Sequence, residues 1–398
     1  MDKYLIISAD SHAGGLAEDY REYVDPAMRS LYDDWVGDIE TQQQRRANHT
    51  GQAIYGEEAL QDFEQLEEVA EGGRDGAFDS ERRLKEQDGD GVVAEVIFPG
   101  GGGDTICPFN AGLMTYQYEE DPAVWLAGCR AYNRWLADFC SLTPGRRAGV
   151  GLITVDDMDV TVQEVKDIHK MGLFGGILLP TGVGDNVLND LPHYNNPHYE
   201  PLWDICEELQ MPVHTHSGWT PNFGNYPGSL GVFLYEVPLR AHRPFWMLIW
   251  AGVFERHPNL KFVMTEQGST WIPSTLQKLD YHYELPMFSQ LRRTLPLKPS
   301  EYYQRQCFVG ASFLRPSDSD ARYEIGVDKL MWGSDYPHME GTWPHTVESL
   351  RESLGHVPTE EVHLIVGQTA AEVYNFDLEA LRPIAESVGP EVRALVTD

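Results

Sequence analysis

Eight short apolar runs recur along this chain, each parted from the next by enough residues for a helix and its turns. They fall at residues 5–9, 92–98, 148–153, 176–179, 211–215, 260–265, 307–309 and 330–332. Their apolar character is continuous rather than alternating, which suits parallel strands buried on both faces. Helical patterns between them, for instance over 123–140, 160–171, 199–209 and 359–374, complete a strand–helix alternation. Eight such units predict an α/β fold of the (β/α)8 TIM barrel type, spanning residues 1–398 as one domain. In that fold the active site lies at the C-terminal ends of the strands.

Two stretches interrupt the pattern. Roughly residues 13–90 form an insertion after strand 1, polar and acidic, read as a partly helical excursion near the barrel mouth. Residues 218–249 are rich in Trp, Phe, Tyr, Pro and Gly and read as a long aromatic loop, either a substrate wall or packing for the outer helices. The run Gly100–Gly103 lacks the Gly-Lys-Ser/Thr ending of a phosphate loop, so a close-packed turn is expected there.

Metal-ligand side chains gather where strands should end: Asp10 and His12, His214 and His216, Glu266, and Asp335 with His338 after the last run. Residues two apart on an extended segment point the same way, so Asp10 pairs with His12 and His214 with His216 on the barrel interior. Two same-side imidazoles are costly to bury without a metal or a partner. Imidazoles and carboxylates from several strand tips are what a divalent metal takes. Blander readings stand beside these: Asp335 as the cap of a Ser-Asp-Tyr-Pro turn, His338 as an exposed loop residue.

A formal charge of −32 leaves nothing to neutralise phosphates, so a nucleic-acid partner is not expected and a small-molecule substrate is. Five cysteines without CxxC spacing fit a reduced, cytoplasmic setting, and no apolar run is long enough to predict a membrane span or signal peptide.

These stretches together resemble the amidohydrolase superfamily, in the branch that includes aminocarboxymuconate-semialdehyde and dihydroxybenzoate decarboxylases. The matching segments are Ile7-Ser8-Ala9-Asp10-Ser11-His12, Glu95-Val96-Ile97-Phe98-Pro99 and Pro212-Val213-His214-Thr215-His216-Ser217-Gly218. Further on they are Arg256-His257-Pro258-Asn259-Leu260-Lys261-Phe262, Trp332-Gly333-Ser334-Asp335-Tyr336-Pro337 and Val366-Gly367-Gln368-Thr369-Ala370-Ala371. The resemblance implies a distorted barrel with a divalent metal on Asp10, His12, His216 and Asp335, and relatives of this kind are often homodimers. Two departures stand out: Glu266 replaces the histidine usual at the sixth strand, and Asp10 replaces the commoner His or Glu.

Counting His214, Glu266 and His338 as well gives seven donors, more than one ion uses. That set resembles the dinuclear oxygenases of the branch, among them 2-aminoisobutyric acid hydroxylase and the platensimycin-pathway monooxygenase. The leading expectation is therefore an Fe/Fe or Mn/Fe monooxygenase that uses dioxygen, with Asp335, Glu266 and His214 catalytic. The alternative is a non-oxidative decarboxylase or hydrolase with a single zinc or manganese ion.

Overall fold

The computed structural model of the protein describes residues 3–41, 65, 74–102, 105–112, 121–184, 191–218, 220–221, 223–224 and 226–396. Its centre is an eight-stranded sheet in which consecutive strands pair in parallel, in the order β1 to β8. The strands are β1 Ile6–Ala13, β2 Val92–Pro99, β3 Arg147–Leu152 and β4 Gly176–Leu178, then β5 Val213–His216, β6 Phe262–Thr265, β7 Cys307–Ala311 and β8 Leu330–Trp332. This is the expected (β/α)8 architecture, with helices between successive strands. Nearly all strand residues are buried, as runs covered on both faces must be.

The first strand differs from expectation in an instructive way. It does not stop at Ala9 but carries Asp10, Ser11 and His12 inside it, with a shift of register against β2 between Ser8 and Ser11. Such a bulge re-aims side chains near a functional site. The barrel seam closes just there. Asp335 N–H donates to Asp10 O at 2.9 Å and His12 N–H donates to Tyr336 O at 2.6 Å, both from the segment after β8. The donor-bearing residues are thus also the closing contact of the sheet.

The outer helices follow ordinary sequence rules. Pro122–Ser141 begins with proline behind Asp121, whose carboxylate accepts from Ala123 N–H at 2.9 Å. Trp125, Tyr132, Trp135, Leu136 and Phe139 recur at helical spacing and face the barrel. The 359–374 pattern forms Thr359–His363 and Thr369–Tyr374 with a π-helical turn between them, Leu364–Gln368. Within the excursion, the helices Arg29–Gly37 and Ser80–Gly89 are present, while residues 42–64 and 66–73 lie outside the described residues. The segment expected as an aromatic loop contains two helices, Ser229–Ala241 and Arg243–Trp250. Leu230, Val232, Leu234, Tyr235 and Leu239 stay exposed on the first of them. No one-sided apolar stripe therefore announces a helix in the sequence. Among the described residues no helix is long and apolar enough to cross a membrane.

Glycine is required at the start of β4. Gly176 has φ +108°, and a Cβ there would lie 2.1 Å from Pro212 O of the neighbouring chain segment. Gly176→Ala should therefore destabilise the protein by about 3 kcal/mol, combining left-handed strain with a backbone clash. A urea unfolding midpoint equal to wild type would refute this.

Candidate metal centre

Two donor groups that share His12 meet at the seam. Asp10, His12 and His216 bring one ligand atom each within 4.8 Å of one another, and so do His12, Asp335 and His338. His12 Nε2 lies 3.5 Å from Asp10 Oδ1 and 3.3 Å from Asp335 Oδ1. His216 Nε2 lies 3.4 Å from the same Asp10 oxygen. Asp10, His12, His216 and Asp335 are all buried.

Both histidines have their far nitrogens occupied. His12 Nδ1 faces Pro99 O at 3.2 Å, and His216 Nδ1 faces Ser217 O at 2.6 Å. A carbonyl there takes the Nδ1 proton, which leaves Nε2 to face the carboxylates, and a metal bound there takes the place of any proton on it. His12 Nε2 and Asp335 Oδ2 are buried with no hydrogen-bond partner. Orphaned polar atoms in a closed interior need an account, and a divalent cation between them supplies one. Asp10 Oδ2 is held from behind by the Ser312 hydroxyl, which donates to it at 2.9 Å. Two imidazoles and two carboxylates fit manganese, zinc or iron. The residues present therefore fit the implied group.

The open side of the cluster carries His338, Glu266 and Glu340. His338 curls back as the sequence suggested: its Nδ1 is 2.9 Å from Asp335 Oδ1, and its ring stacks on His12 at 4.1 Å. Glu266 Oε2 lies 3.1 Å from His216 Nδ1. Glu266, Asp335 and Glu340 form a third donor group. Glu266 and Asp335 both adopt left-handed backbone angles, φ +54° and +56°, which turn the chain sharply at the strand tips. Their electrostatics differ. Burial raises the Glu266 carboxyl well above its usual range, opposed by His216 and helped by Asp335 and Asp10. Burial acts the same way on Asp335, but His338 and His12 outweigh it and hold that carboxyl below its usual range.

His214 is not brought into the cluster. It points inward like His216, as expected, but sits one layer deeper, with Nε2 at 2.9 Å from Gly175 O and its ring stacked on Tyr374. Burial drives its imidazole down to about 3, so it is neutral. It stands outside the three donor groups, and the backbone already satisfies its inner nitrogen. Sequence reasoning missed Ser312, which nothing local marks, and Arg83. Glu95 could have been noticed: a carboxylate within Val92-Val93-Ala94-Glu95-Val96-Ile97 must find a buried cation.

The amidohydrolase family profile matches residues 104–376. The chain belongs to the amidohydrolase family. This amidohydrolase is 26% identical over 251 residues to the gamma-resorcylate decarboxylase of Rhodococcus jostii (strain RHA1), covering 58% of this chain and 72% of the relative. It is 25% identical over 246 residues to the 2-amino-3-carboxymuconate-6-semialdehyde decarboxylase of Dictyostelium discoideum, covering 60% of this chain and 65% of the relative. Its fold is similar to the 5-carboxyvanillate decarboxylase of Novosphingobium aromaticivorans DSM 12444, whose crystal structure holds manganese and 4-hydroxy-3-methoxy-5-nitrobenzoic acid. That match has a TM-score of 0.66 and 17% identity, over 94% of this chain and 96% of the other.

These relatives overturn the expectation of a dioxygen-using monooxygenase, because they are decarboxylases. Of the seven donors counted for that expectation, His214 alone stands outside the donor groups found among the described residues.

Proposed function

We propose that this amidohydrolase is a non-oxidative decarboxylase of a small hydroxyaryl carboxylate, dependent on one divalent ion, with manganese preferred. The observation that carries this reading is the convergence of Asp10, His12, His216 and Asp335 around two orphaned buried atoms at the barrel mouth. Decarboxylase relatives and a manganese-bearing structural neighbour support it. When bound, the ion supplies a Lewis acid that anchors the substrate oxygens and stabilises negative charge.

The protein's own groups divide the remaining work. Two carboxyls whose environments push their proton affinities apart mark the acid and the ionised partner. Asp335, held low, stays ionised and faces the ion, with His338 fixing its other oxygen. Glu266, ionised beside His216 in the substrate-free site and pushed up by burial, takes a proton from solvent as substrate covers the site and gives it to the ring carbon that bears the carboxylate. The carbon–carbon bond then breaks, its electron pair returns to the ring, and the carboxylate leaves as carbon dioxide. Glu266 is a quarter exposed, so it regains a proton from solvent. Phe98, packed on His216 at 4.7 Å and on His214 at 5.1 Å, gives the site an apolar floor.

The grouping of Glu266, Asp335 and Glu340 is the specific support for a second cation. Metal analysis separates the cases: one equivalent per chain agrees with an acid role for Glu266, and two would make it a ligand. The activity is tested by anaerobic incubation of the manganese-loaded chain with 2,6-dihydroxybenzoate and with 5-carboxyvanillate. At least one should yield carbon dioxide and product in equal amounts. Release from neither, or turnover that begins only when air is admitted, would defeat the proposal.

A further inference from the structure

Arg83 stands on the helix Ser80–Gly89, the last element of the excursion between β1 and β2. It is fully buried. Its Nη1 donates to His12 O at 2.8 Å and to Gly76 O at 3.1 Å. Its Nε donates to Glu95 Oε1 at 2.7 Å, and its Nη2 donates to Glu95 Oε2 at 2.5 Å and to Ser11 Oγ at 3.1 Å. Ser11 Oγ in turn donates to Glu95 Oε2 at 2.7 Å, and Arg147 Nε stands 3.3 Å from Glu95 Oε1. Burial opposes ionisation of Glu95, but Arg83 and Arg147 hold its carboxyl down at about 2.

The same helix reaches the other side of the seam. The Arg83 guanidinium lies 4.8 Å from the centre of the Tyr336 ring, and the Tyr336 hydroxyl donates to Glu86. Tyr336 directly follows Asp335, and its carbonyl receives His12 N–H. One helix therefore holds both sides of the candidate metal position, by the backbone carbonyl of His12 and by the side chain of Tyr336 beside Asp335. A fully paired planar fork fixes direction as well as distance, which the single ammonium of lysine cannot do.

We propose that Arg83 is a positioning residue for the metal centre, coupling the docking of the helix Ser80–Gly89 to the placement of His12 and Asp335. The inference rests on the metal reading above and extends it to a residue that touches neither ion nor substrate. Ligand geometry tolerates errors of only about 0.5 Å, so a loosened His12 carbonyl weakens binding at Nε2. Coupling of this kind is reciprocal: if the docked helix favours the ion, the ion must favour the docked helix by the same factor.

Two measurements test it. Free manganese is followed by its electron paramagnetic resonance signal during titration of wild type, Arg83→Lys and Arg83→Met. The variants should bind manganese at least about tenfold more weakly, the range for partners that orient metal ligands. Hydrogen exchange of the wild-type chain should slow over residues 80–89 when manganese is added, and the helix Pro299–Gln306 should change much less. A folded Arg83→Lys with unaltered manganese affinity overturns the proposal. Should neither variant fold, the exchange experiment decides, and equal slowing of the two helices or none overturns it. A wild-type chain that binds no manganese refutes the metal reading itself, which keeps the two failures distinct.

Discussion

Replacing Glu266 by Gln should lower kcat by about 10³-fold, the range for a lost general acid, while manganese uptake stays at wild-type level. Gln keeps the length of the side chain and an oxygen to face His216 Nδ1, now 3.1 Å from the carboxylate. It has no proton to give to the ring carbon. The pH dependence gives a second reading of the same variant. Because burial, Asp335 and Asp10 raise the Glu266 carboxyl against the opposing pull of His216, wild-type kcat should fall as pH climbs through that elevated range. Glu266→Gln should lack that limb. A variant with unimpaired kcat would remove Glu266 from the chemistry, and one that also loses metal would move it into the ligand set.

Manganese affinity is expected to rise about tenfold per pH unit between pH 7 and 9, as binding displaces one proton per ion. The proton comes from His216. Burial lowers its affinity for protons, but Glu266 and then Asp10 more than compensate and raise the imidazole to about 9. A ligating imidazole must give up the Nε2 proton. The sign on stability runs the other way for the metal-free chain. A folded-state value above the unfolded one, about 6.5, stabilises fully at lower pH and is lost as pH rises through about 9. Melting curves with and without manganese should therefore diverge from pH 6.5 to pH 8.5, towards about 4 kcal/mol of protection at a thousandfold excess over Kd. A separation that stays constant would mean that His216 surrenders no proton.

The barrel was legible because its strands are continuous apolar runs of the right length, and Phe262–Thr265 and Leu330–Trp332 sit where the sequence put them. The donors at the seam were legible for a related reason: charged groups at the ends of such runs have nowhere to go but the mouth. Depth was not legible. His214 and His216 share a side of β5, and only the neighbouring Gly175 carbonyl, supplied by a different part of the chain, tells the core residue from the mouth residue. The helix Ser229–Ala241 escaped notice because apolar residues remain on its outer surface, so periodicity carried no information. Arg83 is unremarkable in Ser80-Glu81-Arg82-Arg83-Leu84, and its importance arises chiefly from contacts made more than ten residues away, at Glu95 and at His12.

Glu266, on the open side of this centre, stands on backbone that glycine would occupy with less effort. Such a residue holds about 1–3 kcal/mol in reserve. Glu266→Gly should thus give a chain that melts later yet turns nothing over, and a screen for heat resistance alone would select the inert form; Asp335→Asn gains nothing of the kind, because the buried carboxylate is tied to His338. Thermal robustness and reactivity pull against each other at that one peptide unit.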